Sequence, residues 1–274
     1  MTIFGEAHTE DVVLNIWTNK SVQLLLPCDP IQEITQRARA LVFEAIEHGW
    51  SGPPYDPFAL ARIKHIELRA ASDVQDARTV GVGRNRFAIE YNPSAPQARI
   101  RYSICHEIAH TFFPDCLERV RNRELREHRS GDSWQLEMLC NIAAAELVMP
   151  IGTFEKVLSI NPSMTELLAA RDQFGVSTEA ILLRFVKLTS IPYLVFATHR
   201  DVEGVRIEYS VPSRTCQRSL RSGSRLGKGT VLSHCVSGGG LLKNNEIWPR
   251  LGHVRVECLG LPPTTMIISR GLLG

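Results

Sequence analysis

Apolar residues recur every three to four positions in several stretches of the first two thirds of the chain, which is the spacing of one helix face. The longest such stretch begins at Pro96, which suits a first helical turn, and stops near Pro114. Ser163 with Glu166 fits a helix-capping box, and Ser177 is placed to cap the next helix. The pattern predicts helices over 31–48, 57–65, 96–113, 117–130, 133–149, 163–173 and 177–188.

Short segments rich in β-branched residues, typical of β-strands, lie before the long helix and again from Ile191 onward. The predicted strands cover 66–71, 77–83, 86–92, 193–199, 205–211, 229–236, 253–260 and 264–269. The fold class indicated is α+β. We expect a mainly helical domain with a small β-sheet over 1–150, a helical segment packing on it over 151–190, and a β-rich C-terminal domain over 191–274.

Composition adds little to this prediction but excludes several classes of protein. The net charge of +2 over 274 residues, with 44% hydrophobic residues, is that of an ordinary globular protein and gives no general case for nucleic-acid binding. The N-terminus lacks the basic start and apolar run of a signal peptide, and Arg184, Lys187 and Pro192 interrupt the most apolar stretch. We therefore predict a cytoplasmic protein with no membrane contact. The seven cysteines are scattered without paired spacing, so no disulfide framework is expected.

The long helix carries His-Glu-Ile-Ala-His at positions 106 to 110. Residues four apart lie on one helix face, so His106 and His110 can direct two imidazole nitrogens at one cation, with Glu107 about 100° around the axis. This is the arrangement of a zinc hydrolase, in which the two histidines hold the metal and the glutamate takes a proton from the attacking water. The sequence therefore predicts one Zn²⁺ per chain and Glu107 as the general base.

A catalytic zinc needs a third protein ligand, and two residues compete for that role. Cys116 stands six residues after the second histidine, but the glycine and the third histidine of the pattern with that spacing are both missing. Glu137 lies on the next apolar helix, and Asn141, four residues later, shares its face and could support the site by a hydrogen bond. Cys140, on the same face, is small enough to allow the two helices to approach closely.

Two segments together resemble the ImmA/IrrE family of zinc metallopeptidases. The segment RIRYSICHEIAH is similar to the family's metal-binding helix, and LEMLCNIAAAELVMP is similar to its second motif. The later FGVSTEAILLRFVKL also fits, so the resemblance covers about Pro57 to Leu188. It implies a zincin-like endopeptidase that cleaves a helix-turn-helix transcriptional repressor during stress or mobile-element activation. It assigns the metal to His106, His110 and Glu137, and the general base to Glu107.

Two further segments favour a rival class, a DNA-binding or protein-binding regulator whose metal site is structural or degenerate. Residues 164–188 have the outline of a helix-turn-helix, but the second helix offers only Arg184 and Lys187 as basic groups, so core packing is favoured. Residues 213–229 carry five positive charges and no acid, which suits either an acidic partner or a loop between strands. Direct nucleic-acid binding is thus possible but not favoured, and the residues give no indication of oligomeric state.

Overall fold

The structure is a computed structural model that describes residues 17–83, 86–124, 131–159, 161–235, 238–248 and 251–261. Its fold is α+β, with helices and several small sheets, as predicted. The described residues divide into two compact units, one ending at Ile151 and the other beginning at Gly152. The three-part domain division stays a prediction. Within the described part, no single helix has the length and apolar character to span a membrane; Ser133–Val148 and Ile151–Leu158 pass that test only when joined.

The first unit contains the helices that were predicted around the His-Glu motif and one short helix, Lys20–Gln23, that was not predicted. Asp29 and Asp56 each cap a helix that starts with proline, where the missing N–H of the proline removes no hydrogen bond. The helices are α1 (Lys20–Gln23), α2 (Pro30–Glu47), α3 (Pro57–Ile63), α4 (Gln97–His110), α5 (Cys116–Glu124) and α6 (Ser133–Val148).

Helix α4 is shorter than predicted, because it ends at His110 and not at Phe113. The N–H groups of Thr111 and Phe112 donate to the carbonyls of Ile108 and Ala109, three residues back, which tightens the chain into a turn. The Thr111 hydroxyl also donates to the Ile108 carbonyl at 2.7 Å. Pro114 then follows, where a helix cannot continue. His110 thus occupies the last helical position.

A three-stranded sheet lies against α4. It consists of β1 (Glu67–Ala70), β2 (Ala77–Val82) and β3 (Arg86–Tyr91), with β3 in the middle, parallel to β1 and antiparallel to β2. Helix α4 contacts both β2 and β3. Each of the three strands was predicted to within two residues at either end.

Helix α6 packs against α4 on one side and α2 on another, and this helix layer forms the core of the first unit. Leucine and alanine side chains of α6 meet isoleucines of α4 with no solvent exposure; these residues are Ile104, Ile108, Leu139, Ala143, Ala144 and Leu147. Burial of each isoleucine or leucine side chain contributes about 1.5–3 kcal/mol. The same packing brings the polar edges of α4 and α6 together.

The second unit begins with helices and continues with strands. Its elements are α7 (Ile151–Leu158), α8 (Met164–Phe174), α9 (Thr178–Leu188), β4 (Leu194–Asp201), β5 (Gly204–Pro212), β6 (Arg225–Leu226), β7 (Leu241–Trp248) and β8 (Gly252–Leu259). The capping box of Ser163 and Glu166 is present, and the Ser177 hydroxyl accepts from the N–H of Ala180, both as predicted. Strands β4, β5 and β6 form one antiparallel sheet, and β7 and β8 form another.

One strand prediction in the second unit is wrong. Residues 229–236 were predicted to be extended, but Val231–Ser233 form a 3₁₀ turn. The Val231 N–H donates to the Glu246 carboxylate at 2.6 Å, and the Ser233 hydroxyl donates to the Thr230 carbonyl, so side-chain bonds fix the turn. Strand β7 was not predicted, and the strand predicted over 264–269 lies outside the described residues.

Helices α8 and α9, which have the outline of a helix-turn-helix, pack into the interior of the second unit. Ile181, Phe185 and Val186 of α9 are buried, and the guanidinium of Arg184 lies 5.9 Å from the ring centre of Phe154. Arg184 is only 8% exposed, so it cannot reach a phosphate backbone. Core packing, the favoured interpretation of this segment, is confirmed.

Candidate metal centre

The site is built on the last turns of α4. His106 and His110 lie one turn apart with their ring centres 4.9 Å from each other, and Glu107 lies beside them. One ligand atom from each of these three side chains falls within 4.8 Å of the other two. His110 and Glu107 are buried and His106 is half-buried. The apolar side of α4 faces the core, so the helix directs its polar edge at the site.

Helix α6 adds a carboxylate to this cluster. Glu137 Oε2 lies 3.1 Å from Nε2 of His106 and 3.7 Å from Nε2 of His110. Ligands held at about 2.0–2.2 Å around a tetrahedral zinc are themselves about 3.3 Å apart. The two imidazole nitrogens and the carboxylate oxygen are therefore the donor types of a His₂Glu zinc shell, and both distances from the carboxylate oxygen are close to that ligand spacing.

The other nitrogen of each imidazole also meets a side chain of α6. Nδ1 of His106 donates to Oδ1 of Asn141 at 3.0 Å, and Nδ1 of His110 lies 3.3 Å from Sγ of Cys140. Asn141 Oδ1 accepts a second hydrogen bond, from the Tyr102 hydroxyl at 2.9 Å. Metal-binding histidines characteristically have their outer nitrogen held in this way, because the partner fixes the ring orientation and the tautomer. Because these contacts occupy the Nδ1 atoms, the Nε2 atom of each imidazole is the one that could bind a metal.

The charges of the site are set by burial and by these contacts. Burial alone would raise the pKa of Glu137, but hydrogen bonds from His106 and His110 outweigh it and hold that pKa far below its usual range. Burial opposes charge on both imidazoles; it lowers the pKa of His110, whereas the Glu137 hydrogen bond and nearby carboxylates raise the pKa of His106. Burial, and then the charge of Glu137, raise the pKa of the Cys140 thiol. At neutral pH the site thus presents an ionised carboxylate and a neutral thiol.

Glu107 forms its hydrogen bond with the sheet, whereas the two histidines contact side chains of α6. Its Oε2 accepts a hydrogen bond of 2.6 Å from the hydroxyl of Thr79, on strand β2. Glu107 is 7% exposed and Thr79 is 6% exposed, so the bond is shielded from water. No local sequence pattern predicts this contact, because the two residues are 28 positions apart and lie on different elements.

The predicted site residues come together on α4 and α6. His106, Glu107, His110, Glu137 and Asn141 lie in one cluster, and each makes a contact described above. Cys116, the alternative third ligand, is buried at the start of α5, and Glu137 Oε2 lies 3.1 Å from His106 Nε2. Sequence reasoning missed Thr79, and it read Cys140 as a packing residue although its sulfur contacts His110.

Comparison with known proteins agrees with the resemblance seen in the motifs. A search of curated proteins gave no match. Among solved structures, a Mycobacterium tuberculosis transcriptional regulator aligns with 13% identity and a TM-score of 0.49, over 81% of this chain and 74% of that chain. Residues 66–186 match the family model of the IrrE N-terminal-like domain, Peptidase_M78, and this range contains both motifs. Over these residues the chain is thus similar to the IrrE N-terminal-like domain of the Peptidase_M78 family.

Proposed function

We propose that the protein is a zinc-dependent endopeptidase whose first unit is a zincin-like catalytic domain. The observation that carries the proposal is the approach of Glu137 on α6 to the two Nε2 atoms of α4, at 3.1 and 3.7 Å, with the separate carboxylate of Glu107 alongside. Three donors for one cation and one spare carboxylate are the minimum set for metal-assisted hydrolysis of a peptide bond.

His106, His110 and Glu137 would hold the metal, and Asn141 and Cys140 would keep the imidazoles in place. When bound, zinc supplies a positive charge that polarises the scissile carbonyl and acidifies a water molecule. The burial of His110 and Glu107 limits the access of bulk water, which strengthens the electrostatic interactions at this centre.

Glu107 would act as the general base and then as the general acid. Its carboxylate accepts the proton of the attacking water and passes it to the nitrogen of the departing amine. Glu107 is suited to this because it is adjacent to a metal ligand in sequence but has its own hydrogen-bond partner, Thr79, on the sheet.

The substrate we propose is a protein, specifically a helix-turn-helix transcriptional repressor whose cleavage relieves repression. This rests on the resemblance of the two motifs to the ImmA/IrrE family and on the family match over residues 66–186. The cytoplasmic location stays a prediction from the sequence. The rival function is a regulator that binds DNA or protein and has a structural or degenerate metal site.

The proposal is tested first by metal content and then by cleavage. Purified protein is dialysed against buffer with limiting zinc and analysed for bound metal, in parallel with Glu137→Ala and Glu107→Gln. We expect one zinc per chain in the wild type and in Glu107→Gln, and a large loss in Glu137→Ala, because only the latter removes a ligand. Each protein is then incubated with a proteome-derived peptide library, and new N-termini are identified by mass spectrometry.

The cleavage step separates an enzyme from a regulator. New N-termini should be produced by the wild type and be absent with Glu107→Gln, which keeps the shape of the side chain but cannot accept the proton. Equal cleavage by the two proteins, or a wild type that binds no zinc, would refute the peptidase. Zinc binding without cleavage, together with a sequence-specific gel shift, would favour the regulator. Candidate repressors that contain a cleaved peptide are then tested as folded proteins.

A further inference from the structure

We propose that Thr79 is a positioning residue for the general base, and that its hydroxyl fixes the carboxylate of Glu107 for proton transfer. The proposal rests on the peptidase function proposed above and assigns a role to a residue of the sheet. The bond from Thr79 Oγ1 to Glu107 Oε2 is 2.6 Å long, within the range of a strong hydrogen bond from a hydroxyl to an ionised carboxylate.

The backbone at Thr79 is held by the sheet. Thr79 pairs with Ile89 of the central strand β3 in antiparallel register, and Ile89 has no exposed surface. Threonine is branched at Cβ, so its side chain has few rotamers, and a strand that packs on α4 restricts them further. The hydroxyl is therefore placed before any substrate binds, and it makes its contact without ordering a flexible side chain.

Glu107 depends on such a contact, because its own side chain is long. A glutamate has three rotatable bonds, and a helix fixes only the first of these closely. The carboxylate is planar and rigid, so the bond from the Thr79 hydroxyl to Oε2 restricts the position of both of its oxygens. Rates fall by about a hundredfold when a reacting group is displaced by about 1 Å, so one bond that orients the carboxylate has kinetic consequences.

A purely structural role for Thr79 predicts different behaviour. Threonine is common in strands because its branched side chain packs well, and valine has nearly the same shape without the hydroxyl. If packing were its function, Thr79→Val would be neutral and Thr79→Ser, which loses the methyl group, would be the worse change. If the hydroxyl orients Glu107, Thr79→Val is the more damaging substitution and Thr79→Ser the milder one.

The test compares these two variants with the zinc-loaded wild type, using the best-cleaved peptide from the library. We expect Thr79→Val to lower kcat by about ten- to a hundredfold with KM and zinc content unchanged, because the hydroxyl bonds to the general base and not to a metal-holding side chain. Thr79→Ser should recover most of the lost kcat. Thr35→Val is the control: its hydroxyl donates a bond of 2.7 Å to the Ile31 carbonyl in α2, so kcat should not change.

A second measurement needs no substrate. Thermal unfolding midpoints of Thr79→Val, Glu107→Ala and the double variant, all zinc-free, form a double-mutant cycle. The valine should lower the midpoint when Glu107 is present, since it leaves a buried carboxylate without its donor, and should have a smaller effect in the Glu107→Ala background. Equal effects in both backgrounds would show that the hydrogen bond is absent and overturn the proposal.

Failure of the peptidase proposal and failure of the role of Thr79 give different results. If wild type and Glu107→Gln are equally active or inactive on the library, the peptidase itself is refuted and the positioning role falls with it. If the wild type cleaves and Glu107→Gln does not, but Thr79→Val retains the wild-type kcat, then only the role of Thr79 is overturned. The same holds if Thr79→Val loses zinc, because the residue would then support the metal shell and not the base.

Discussion

The two imidazoles of the site have unequal support, and this difference can be measured as zinc affinity. Nδ1 of His106 has an amide oxygen at 3.0 Å as its partner, whereas Nδ1 of His110 has a sulfur at 3.3 Å. A thiol sulfur is a weaker acceptor than an amide oxygen, and its neutral form persists here because burial and Glu137 raise the pKa of Cys140. We therefore expect Asn141→Ala to weaken zinc binding more than Cys140→Ala.

The magnitude follows from the same contacts. Loss of a partner that holds the outer nitrogen of a metal-binding histidine typically costs ten- to a hundredfold in metal affinity. Asn141→Ala should fall within this range, since it also removes the acceptor of the Tyr102 hydroxyl. For Cys140→Ala we expect about tenfold at most, equivalent to about 1.4 kcal/mol, because the sulfur contributes one long and weak bond.

The assay is a zinc titration against a chromophoric chelator of known affinity, at about pH 7.5, where free histidine is largely neutral. Cys105→Ala serves as the matched control, since it also removes a buried sulfur from a residue next to a metal-binding position. Its affinity should stay within about twofold of the wild type, because no support of a ligand is lost. The reasoning is refuted if Cys140→Ala weakens binding more than Asn141→Ala, or if neither differs from Cys105→Ala.

Three other predictions follow from the structure. Removal of zinc with a chelator should lower the unfolding midpoint of the first unit, since a metal at a hundred times its Kd stabilises the folded state by about 2.7 kcal/mol. An unchanged midpoint in differential scanning fluorimetry would contradict this prediction. Glu146→Ala should lower the free energy of unfolding by about 1–3 kcal/mol, because this buried carboxylate accepts a hydrogen bond from the Ile151 N–H at 3.0 Å and lies 3.4 Å from Arg39. Thermal unfolding measures this loss, and Glu155→Ala, at an exposed position, should leave the stability unchanged. The hydrogen bond from Arg225 lowers the pKa of Asp201 to about 2. The stabilising negative charge of Asp201 is therefore fully present above about pH 4 and is lost as the pH falls through about 2. An NMR titration of the carboxyl group should show this midpoint, and Arg225→Gln should raise the pKa of Asp201.

The parts of the site that could be predicted are those encoded within one helix. His106 and His110 are four residues apart, as are Glu137 and Asn141, so helical periodicity alone places each pair on one face. The structure adds that Cys140 reaches the second histidine. The bond between Thr79 and Glu107 could not be predicted, because it depends on how the sheet packs against α4, and no local pattern encodes that.

The same distinction applies to the fold. The capped helices and the strands before α4 agree with the predictions because their signals are local. Residues 229–236 contain β-branched residues, but a distant carboxylate, that of Glu246, binds the N–H of Val231 and stabilises a turn. Strand β7 escaped prediction because its sequence, LLKNNEIW, has a polar middle; the residues there are exposed and are held in the strand by pairing with β8.

One face of α6 carries the proposed ligand Glu137 and both imidazole partners at positions i, i+3 and i+4, which makes the centre sensitive to the rotation of this helix. An insertion of one residue between Glu137 and Cys140 would rotate the two partners by about 100° away from the ligand, while leaving every functional residue in the sequence. Relatives that retain all of these side chains but differ in this spacing would then be expected to have lost the metal. Conversely, the whole centre could be transferred to a designed helical pair by grafting two short segments, provided that their relative rotation is preserved.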